Sequence, residues 1–261
     1  MKTNALPLKI SFFLTLLLTL SNTGISQEKN REYYQLKIYS FETNDQIAVT
    51  ENYLKEAYLP ALKRLKINNV GVFKPRADSI KKIYVLIPFS SLKQLDELEN
   101  NMEADLTFLK NGDKYLNASY ENPNYERIES IILKAFIDMP KMKASSLEGS
   151  RKDRVYELRS YESPTEAYYK IKVDMFNAGG EVKLFKRLGF NAVFYGEVIS
   201  GSKMPNLMYM TTFTDQKSRD AHWKSFFDAP EWKKLVVMSK YANTVSHSDK
   251  YLLYPTEYSD Y

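Results

Sequence analysis

The chain has 261 residues, with 37 basic against 32 acidic side chains and no cysteine. That length allows one large domain or two small ones, and the missing cysteine excludes disulfides, thiolate metal sites and a lipid-modified cysteine. The formal charge of +5 is spread in alternating signs without a basic block, so nucleic-acid binding has no support.

The N-terminus reads as a signal peptide spanning residues 1–26. Lys2 and Lys9 make a positive start, Ile10 to Leu20 is an apolar run, and Gly24-Ile-Ser26 offers small residues before a cleavage point at Gln27. The apolar run is too short for a membrane span, which needs about 20 residues. The expectation is an exported protein, periplasmic or extracellular, with no transmembrane helix in the mature chain.

From Glu32 to Phe41 the pattern alternates as a strand, with Tyr34, Leu36 and Ile38 on one face and Gln35, Lys37 and Tyr39 on the other. Thr43 and Gln46 have capping-box spacing, and the helix after them carries Ile47, Leu54, Tyr58, Ala61 and Leu65 with a kinking Pro60 inside it. Asn69 to Lys74 and Lys82 to Phe89 read as strands. Ser90 or Ser91 caps a helix whose pattern runs to Leu109, where Asn111-Gly112 is expected to stop it. Ile128 to Ile137 is a fourth strand, which completes the order β-α-β-β-α-β. Residues 138–153 lack periodicity, and 141–153 reads as a linker between units at 27–140 and 154–261.

The second unit repeats the order. Val155 to Tyr161 is a strand, and Ser163-Pro-Thr-Glu166 reads as a helix start with Ser163 as cap. A stripe from Tyr168 to Leu188 passes through Gly179-Gly180 in register, and Gly189 is placed to end the helix. Phe190 to Ile199 and Leu207 to Phe213 are strands. Thr214 or Asp215 caps the next helix, Asp228-Ala-Pro-Glu231 starts another, and Thr244 to Leu253 is the last strand. The halves align at an offset of about 122 to 124 residues, with Tyr34 to Tyr39 over Tyr156 to Tyr161. The third strand of each is apolar on both faces, yet its own helices can cover only one. The sister sheet is the economical cover for the other. The expected fold is α+β, two tandem ferredoxin-like repeats forming one pseudo-dimeric α/β barrel.

Residues Val155 to Tyr261 resemble the NIPSNAP domain of the dimeric α/β-barrel superfamily. The motifs that carry the likeness are Tyr156-Glu-Leu-Arg-Ser-Tyr161, Met175-Phe-Asn-Ala-Gly-Gly-Glu181, Phe194-Tyr-Gly-Glu197, Leu207 to Phe213, Arg219-Asp-Ala-His-Trp-Lys224 and Pro230-Glu-Trp232. The first half is similar but looser, with Lys37 and Lys66 where the domain usually has Arg and Gly. The resemblance implies the barrel fold and a protein of unestablished activity that binds a small ligand or a protein partner. Its alternative is a cofactor-independent oxygenase or isomerase of the same superfamily.

The candidate ligand-binding residues are Arg159, Tyr161, Tyr195, Arg219, His222 and Trp223. Arg159 and Tyr161 share a strand face with Glu157, so they either line an anion cavity or form an ion pair with that carboxylate. His222 beside Trp223 suggests haem only through the resemblance, because some barrels of the superfamily ligate haem with a helical histidine. No cofactor is expected. His247 and Asp249 put two ligands on one strand face, too few for a metal site, and none is expected. No catalytic constellation follows from spacing. Expected states are a monomeric pseudo-dimer or a homodimer, and the tyrosine-rich stretch from Tyr254 to Tyr261 is a candidate docking surface.

Overall fold

The computed structural model describes residues 31–261, so the expected signal peptide lies outside the described residues. The first half runs β1 (Tyr33–Ser40), α1 (Asn44–Tyr53), a π-helical turn (Leu54–Tyr58), α2 (Leu59–Arg64), β2 (Gly71–Pro75) and β3 (Lys82–Phe89). It continues with α3 (Leu92–Asp96), α4 (Leu98–Glu103), α5 (Leu106–Leu116) and β4 (Arg127–Ala135). The second half runs β5 (Val155–Glu162), α6 (Glu166–Phe176), α7 (Glu181–Arg187), β6 (Asn191–Ser200) and β7 (Asn206–Phe213). It ends with α8 (Gln216–Asp228), α9 (Pro230–Val236), a 3-10 turn at Ser239–Tyr241 and β8 (His247–Pro255).

All eight strands close into one antiparallel barrel in the order β1-β3-β2-β8-β5-β7-β6-β4. Within each half the fourth, first, third and second strands are neighbours, which is the ferredoxin-like arrangement. The two four-stranded sheets join through β2 with β8, where Phe73 pairs with Pro255, and through β4 with β6, where Ala135 pairs with Gly196. Closure leaves no free sheet edge.

Strand alternation then sorts the side chains into three layers. Tyr34, Leu36 and Ile38 of β1 point into the barrel with Tyr84, Leu86, Tyr156, Leu158, Phe194, Met208 and Met210. Tyr39, Val85 and Ile87 face outward beneath α1, α2, α4 and α5. Tyr195, Tyr209 and Phe213 face outward beneath α6 to α8, with Phe176, Phe185, Trp223 and Phe226. Every residue of β7 is buried, as a strand with the barrel core on one side and helices on the other must be.

Several local expectations hold, and several shift for identifiable reasons. Thr43 and Gln46 form the capping box, Ser91 caps α3 and Asp215 caps α8. Gly180 takes φ +90, so the helix breaks between Phe176 and Glu181 and resumes as α7. Gly189 ends α7 at φ +77, and its counterpart Lys66 keeps the same left-handed backbone at φ +62. Gly112 does not stop its helix: α5 runs to Leu116, and at Gly112 a side chain would press on Leu116 and the Tyr53 ring. Thr165, not Ser163, caps α6, because the Ser163 hydroxyl donates to the Thr244 carbonyl instead. Asp228 binds Lys224, which leaves Ala229 as the uncapped residue before Pro230.

The last residues of the tyrosine-rich stretch are packed into the fold. Tyr261 is 2% exposed and packs on Phe73 and Tyr156, while Asp260 accepts the Val70 amide and pairs with Lys63. Arg151 donates to the carbonyls of Thr256, Glu257 and Ser259, which ties the stretch between the halves to this tail. Met142 from the same stretch enters the barrel core.

Candidate functional site

The outer face of β5 presents Glu157, Arg159 and Tyr161 to the layer under α6 and α8. Glu157 is fully buried, and a carboxylate taken out of water must be matched by donors. It is. Arg159 donates through Nε at 2.7 Å, Arg219 through Nε at 2.6 Å and Nη2 at 3.0 Å, and Trp223 through its indole N–H at 2.8 Å. Burial alone would push the Glu157 carboxyl up, but Arg219, Arg159 and Trp223 together hold it below the usual carboxylate range.

Arg159 lies flat on Trp223, its guanidinium carbon 3.8 Å from the ring centroid. Besides Nε, its Nη2 lies 2.7 Å from Glu157 and its Nη1 donates to the Tyr161 hydroxyl at 3.0 Å. Two of the five N–H groups of the guanidinium are thereby hydrogen-bonded, with Nη2 in ion-pair contact as well. Tyr161 in turn shares a hydrogen bond of 3.0 Å with the Tyr209 hydroxyl on β7. Burial raises the Tyr209 phenol well above its ordinary value, with Tyr161 adding to the effect and Arg159 opposing it, so this group stays protonated.

A second buried pair sits beside the first. Lys172 on α6 and Glu181 at the start of α7 are 3.3 Å apart, with side chains 6% and 3% exposed. The Lys172 ammonium lies 4.8 Å from the Phe176 ring and 5.6 Å from the Tyr161 ring. Burial pushes the Glu181 carboxyl up, against the opposing pull of Lys172 and Arg159. In this layer two carboxylates face three cations. Asp220, which also accepts from Arg219, is at the solvent edge.

The structure therefore brings together four of the six expected residues: Arg159, Tyr161, Arg219 and Trp223. Tyr195 stands one ring further along β6, stacked at 5.6 Å on Tyr209, and lines a cleft of about 250 Å³ with Met139, Lys143, Val182, Lys186 and Phe190. His222 faces away from Glu157. Its ring meets Phe190 and Phe213, and Nδ1 lies 2.7 Å from the Ser218 carbonyl. Lys172, Glu181 and Tyr209 were not legible as site residues. The break at Gly180 rotates α7 relative to α6, so Lys172 and Glu181 share no helical face in the sequence pattern.

At one rim of the barrel Glu162 joins His247 and Asp249, and the ligand atoms of the three lie within 4.8 Å of one another. Pairing β5 against β8 supplies this third group, which sequence spacing could not. Lys203 already bonds Asp249 and lies 3.8 Å from Glu162, so the two carboxylates have a cation of their own. Among the described residues no helix is long and apolar enough to cross a membrane.

Residues 156–260 match the family model for NIPSNAP, so the second half of the chain carries a NIPSNAP domain. Compared with curated proteins, the sequence finds no match. Among solved structures it is similar to a monooxygenase-like protein of Lactobacillus acidophilus NCFM, at 14% identity and TM-score 0.56, covering 86% of this chain and 94% of that one. It is also similar to an anthrone oxidase-like protein, at 11% identity and TM-score 0.51, covering 89% and 94%. A NIPSNAP family protein of Agrobacterium tumefaciens strain C58 aligns at 16% identity and TM-score 0.36, covering 41% of this chain and 97% of that one. The first two likenesses are those of fold: an eight-stranded α/β barrel of the dimeric type.

Proposed function

We propose that the protein is exported and binds a small anionic ligand, a carboxylate, in the layer between β5 and the helices α6 and α8. The observation that carries this reading is the grouping of three cations, Arg159, Arg219 and Lys172, in one layer walled by aromatic rings, where Glu157, Glu181 and the solvent-edge Asp220 hold them in place. The Arg159 fork, braced by Glu157 and Trp223, is pre-organised for a planar carboxylate and spends little entropy on binding it. Isothermal titration against a panel of small carboxylates tests this. At least one should bind, and Lys172→Met should weaken it while leaving the fold intact by circular dichroism. A panel with no binder, or equal binding by Lys172→Met and Arg159→Lys, would overturn the reading.

The alternative is a cofactor-independent oxygenase or isomerase. What favours it is the chain of hydrogen bonds from Arg159 to Tyr161 to Tyr209, in which a protonated phenol stands next to a cation that could hold a substrate anion. Oxygen uptake with phenolic and anthrone-type substrates would distinguish it, with Tyr209→Phe as the control. Haem titration monitored by its absorbance should show no specific complex. Export predicts a mature chain that begins at Gln27, which N-terminal sequencing of the secreted material checks. The two halves read as a duplicated unit, so a monomer would hold the complete barrel, and sedimentation would show whether it pairs again.

A further inference from the structure

Glu162, His247 and Asp249 come together because β5 and β8 pair side by side up to the rim of the barrel. Glu162 is the cross-strand partner of His247, and Asp249 lies two residues further along β8 on the same face. All three are carried on paired strands rather than on a loop, which fixes the spacing of their backbones. His247 Nε2 lies 3.2 Å from Asp249 Oδ1, and one ligand atom from each of the three residues lies within 4.8 Å of the others. Bonds of about 2.0–2.2 Å around a tetrahedral ion set neighbouring ligand atoms roughly 3.3–3.6 Å apart. The His247–Asp249 pair already stands near that spacing, and rotation of the Glu162 side chain closes the rest. The His247, Glu162 and Asp249 side chains are 60%, 26% and 22% exposed, so an ion reaches them directly from solvent.

A positive charge is already drawn to this place. Lys203, from the turn between β6 and β7, bonds Asp249 Oδ2 and lies 3.8 Å from Glu162 Oε1. It takes one oxygen of Asp249 and leaves the other, Oδ1, beside the imidazole. Glu129 on β4 lines the same mouth of the barrel, so the carboxylates there outnumber this lysine. We propose that Glu162, His247 and Asp249 form a binding site for a divalent transition-metal ion, Zn²⁺, in competition with the Lys203 ammonium. The sequence offers only His247 and Asp249, and the pairing of β5 with β8 adds the third ligand. An imidazole with two carboxylates suits a borderline ion such as Zn²⁺ better than Ca²⁺, which takes about six to eight oxygens. Three protein ligands leave a fourth position for water, the form of an open zinc site. The ion would clasp the first and last strands of the second half and release the turn that carries Lys203.

The test is isothermal titration of the untagged, chelator-treated full chain with Zn²⁺, with the visible spectrum of Co²⁺ as a second readout of imidazole ligation. One Zn²⁺ should bind per chain, and Ca²⁺ should bind at least about tenfold more weakly. His247→Ala should weaken Zn²⁺ by about tenfold or more and alter the Co²⁺ spectrum. Its circular dichroism should match the parent, because the His247 side chain is exposed. Lys203→Met should tighten Zn²⁺ binding several-fold, because it removes the competing charge. No Zn²⁺ binding by the parent would overturn the proposal, and binding by Lys203→Met alone would overturn it too, by showing that the lysine is the permanent occupant. Binding that His247→Ala leaves unchanged, or Ca²⁺ held as tightly as Zn²⁺, would also overturn it, since either marks a plain acidic surface.

Discussion

Glu157→Gln removes one negative charge from the fully buried carboxylate that Arg159, Arg219 and Trp223 all address. Volume barely changes, so the effect is electrostatic. Breaking a buried pair by removing one partner costs about 3–5 kcal/mol, because the remaining charge is left uncompensated. Here the stranded groups are two arginines, with side chains 16% and 12% exposed, and Arg219 keeps Asp220. Partial solvation and that second partner place the expectation at the low end, about 3 kcal/mol. For a chain of this size that is a fall in Tm of roughly 6–12 °C. Urea unfolding followed by tryptophan fluorescence suits the measurement, since Trp223 reports directly on the cluster. The m-value should not change, because the folded state stays compact. Replacing the trio together, with Glu157→Leu, Arg159→Met and Arg219→Met, should recover most of the loss, as apolar packing is an adequate substitute for a buried ion pair. A loss below about 1 kcal/mol in the single variant, the size of an exposed pair, would refute the account.

The same carboxylate sets a pH dependence. Its folded pKa lies below the ordinary 4.5, so its contribution is fully present above that value and is lost as pH falls through the folded one. Unfolding free energy of the parent should therefore drop more steeply below pH 4.5 than that of Glu157→Gln, and parallel slopes would contradict it. Lys66→Gly should stabilise by about 0.5–1 kcal/mol, because Lys66 holds φ +62 without the freedom of glycine; chemical denaturation reads the shift, and a loss would mean that its side chain matters more than its backbone. Tyr261→Ala should cost about 3 kcal/mol by opening a cavity against Phe73 and Tyr156, whereas a tail that merely lay on the surface would lose almost nothing.

The sequence by itself determined the architecture. Alternation in β1 and β5, apolar faces on both sides of β3 and β7, and caps at Thr43, at Ser90 or Ser91 and at Thr214 or Asp215 are local or periodic signals, and the structure keeps them, choosing Ser91 and Asp215 within the pairs. It also named Arg159, Tyr161, Arg219 and Trp223, since charged and aromatic residues on the covered face of a strand or helix need partners. It left open whether Arg159 lines an anion cavity or pairs with Glu157. Only the tertiary structure shows the pairing with Glu157 together with the Arg219 and Trp223 that α8 lays across the same carboxylate, some sixty residues away in the chain. The same holds for Lys172 with Glu181, set face to face by a break at Gly180 that no periodicity records, and for Tyr261, buried at the end of a tyrosine-rich stretch that reads as a candidate docking surface. Periodicity reports which face is covered. Which groups meet beneath that cover depends on distances between elements, and folding alone fixes those.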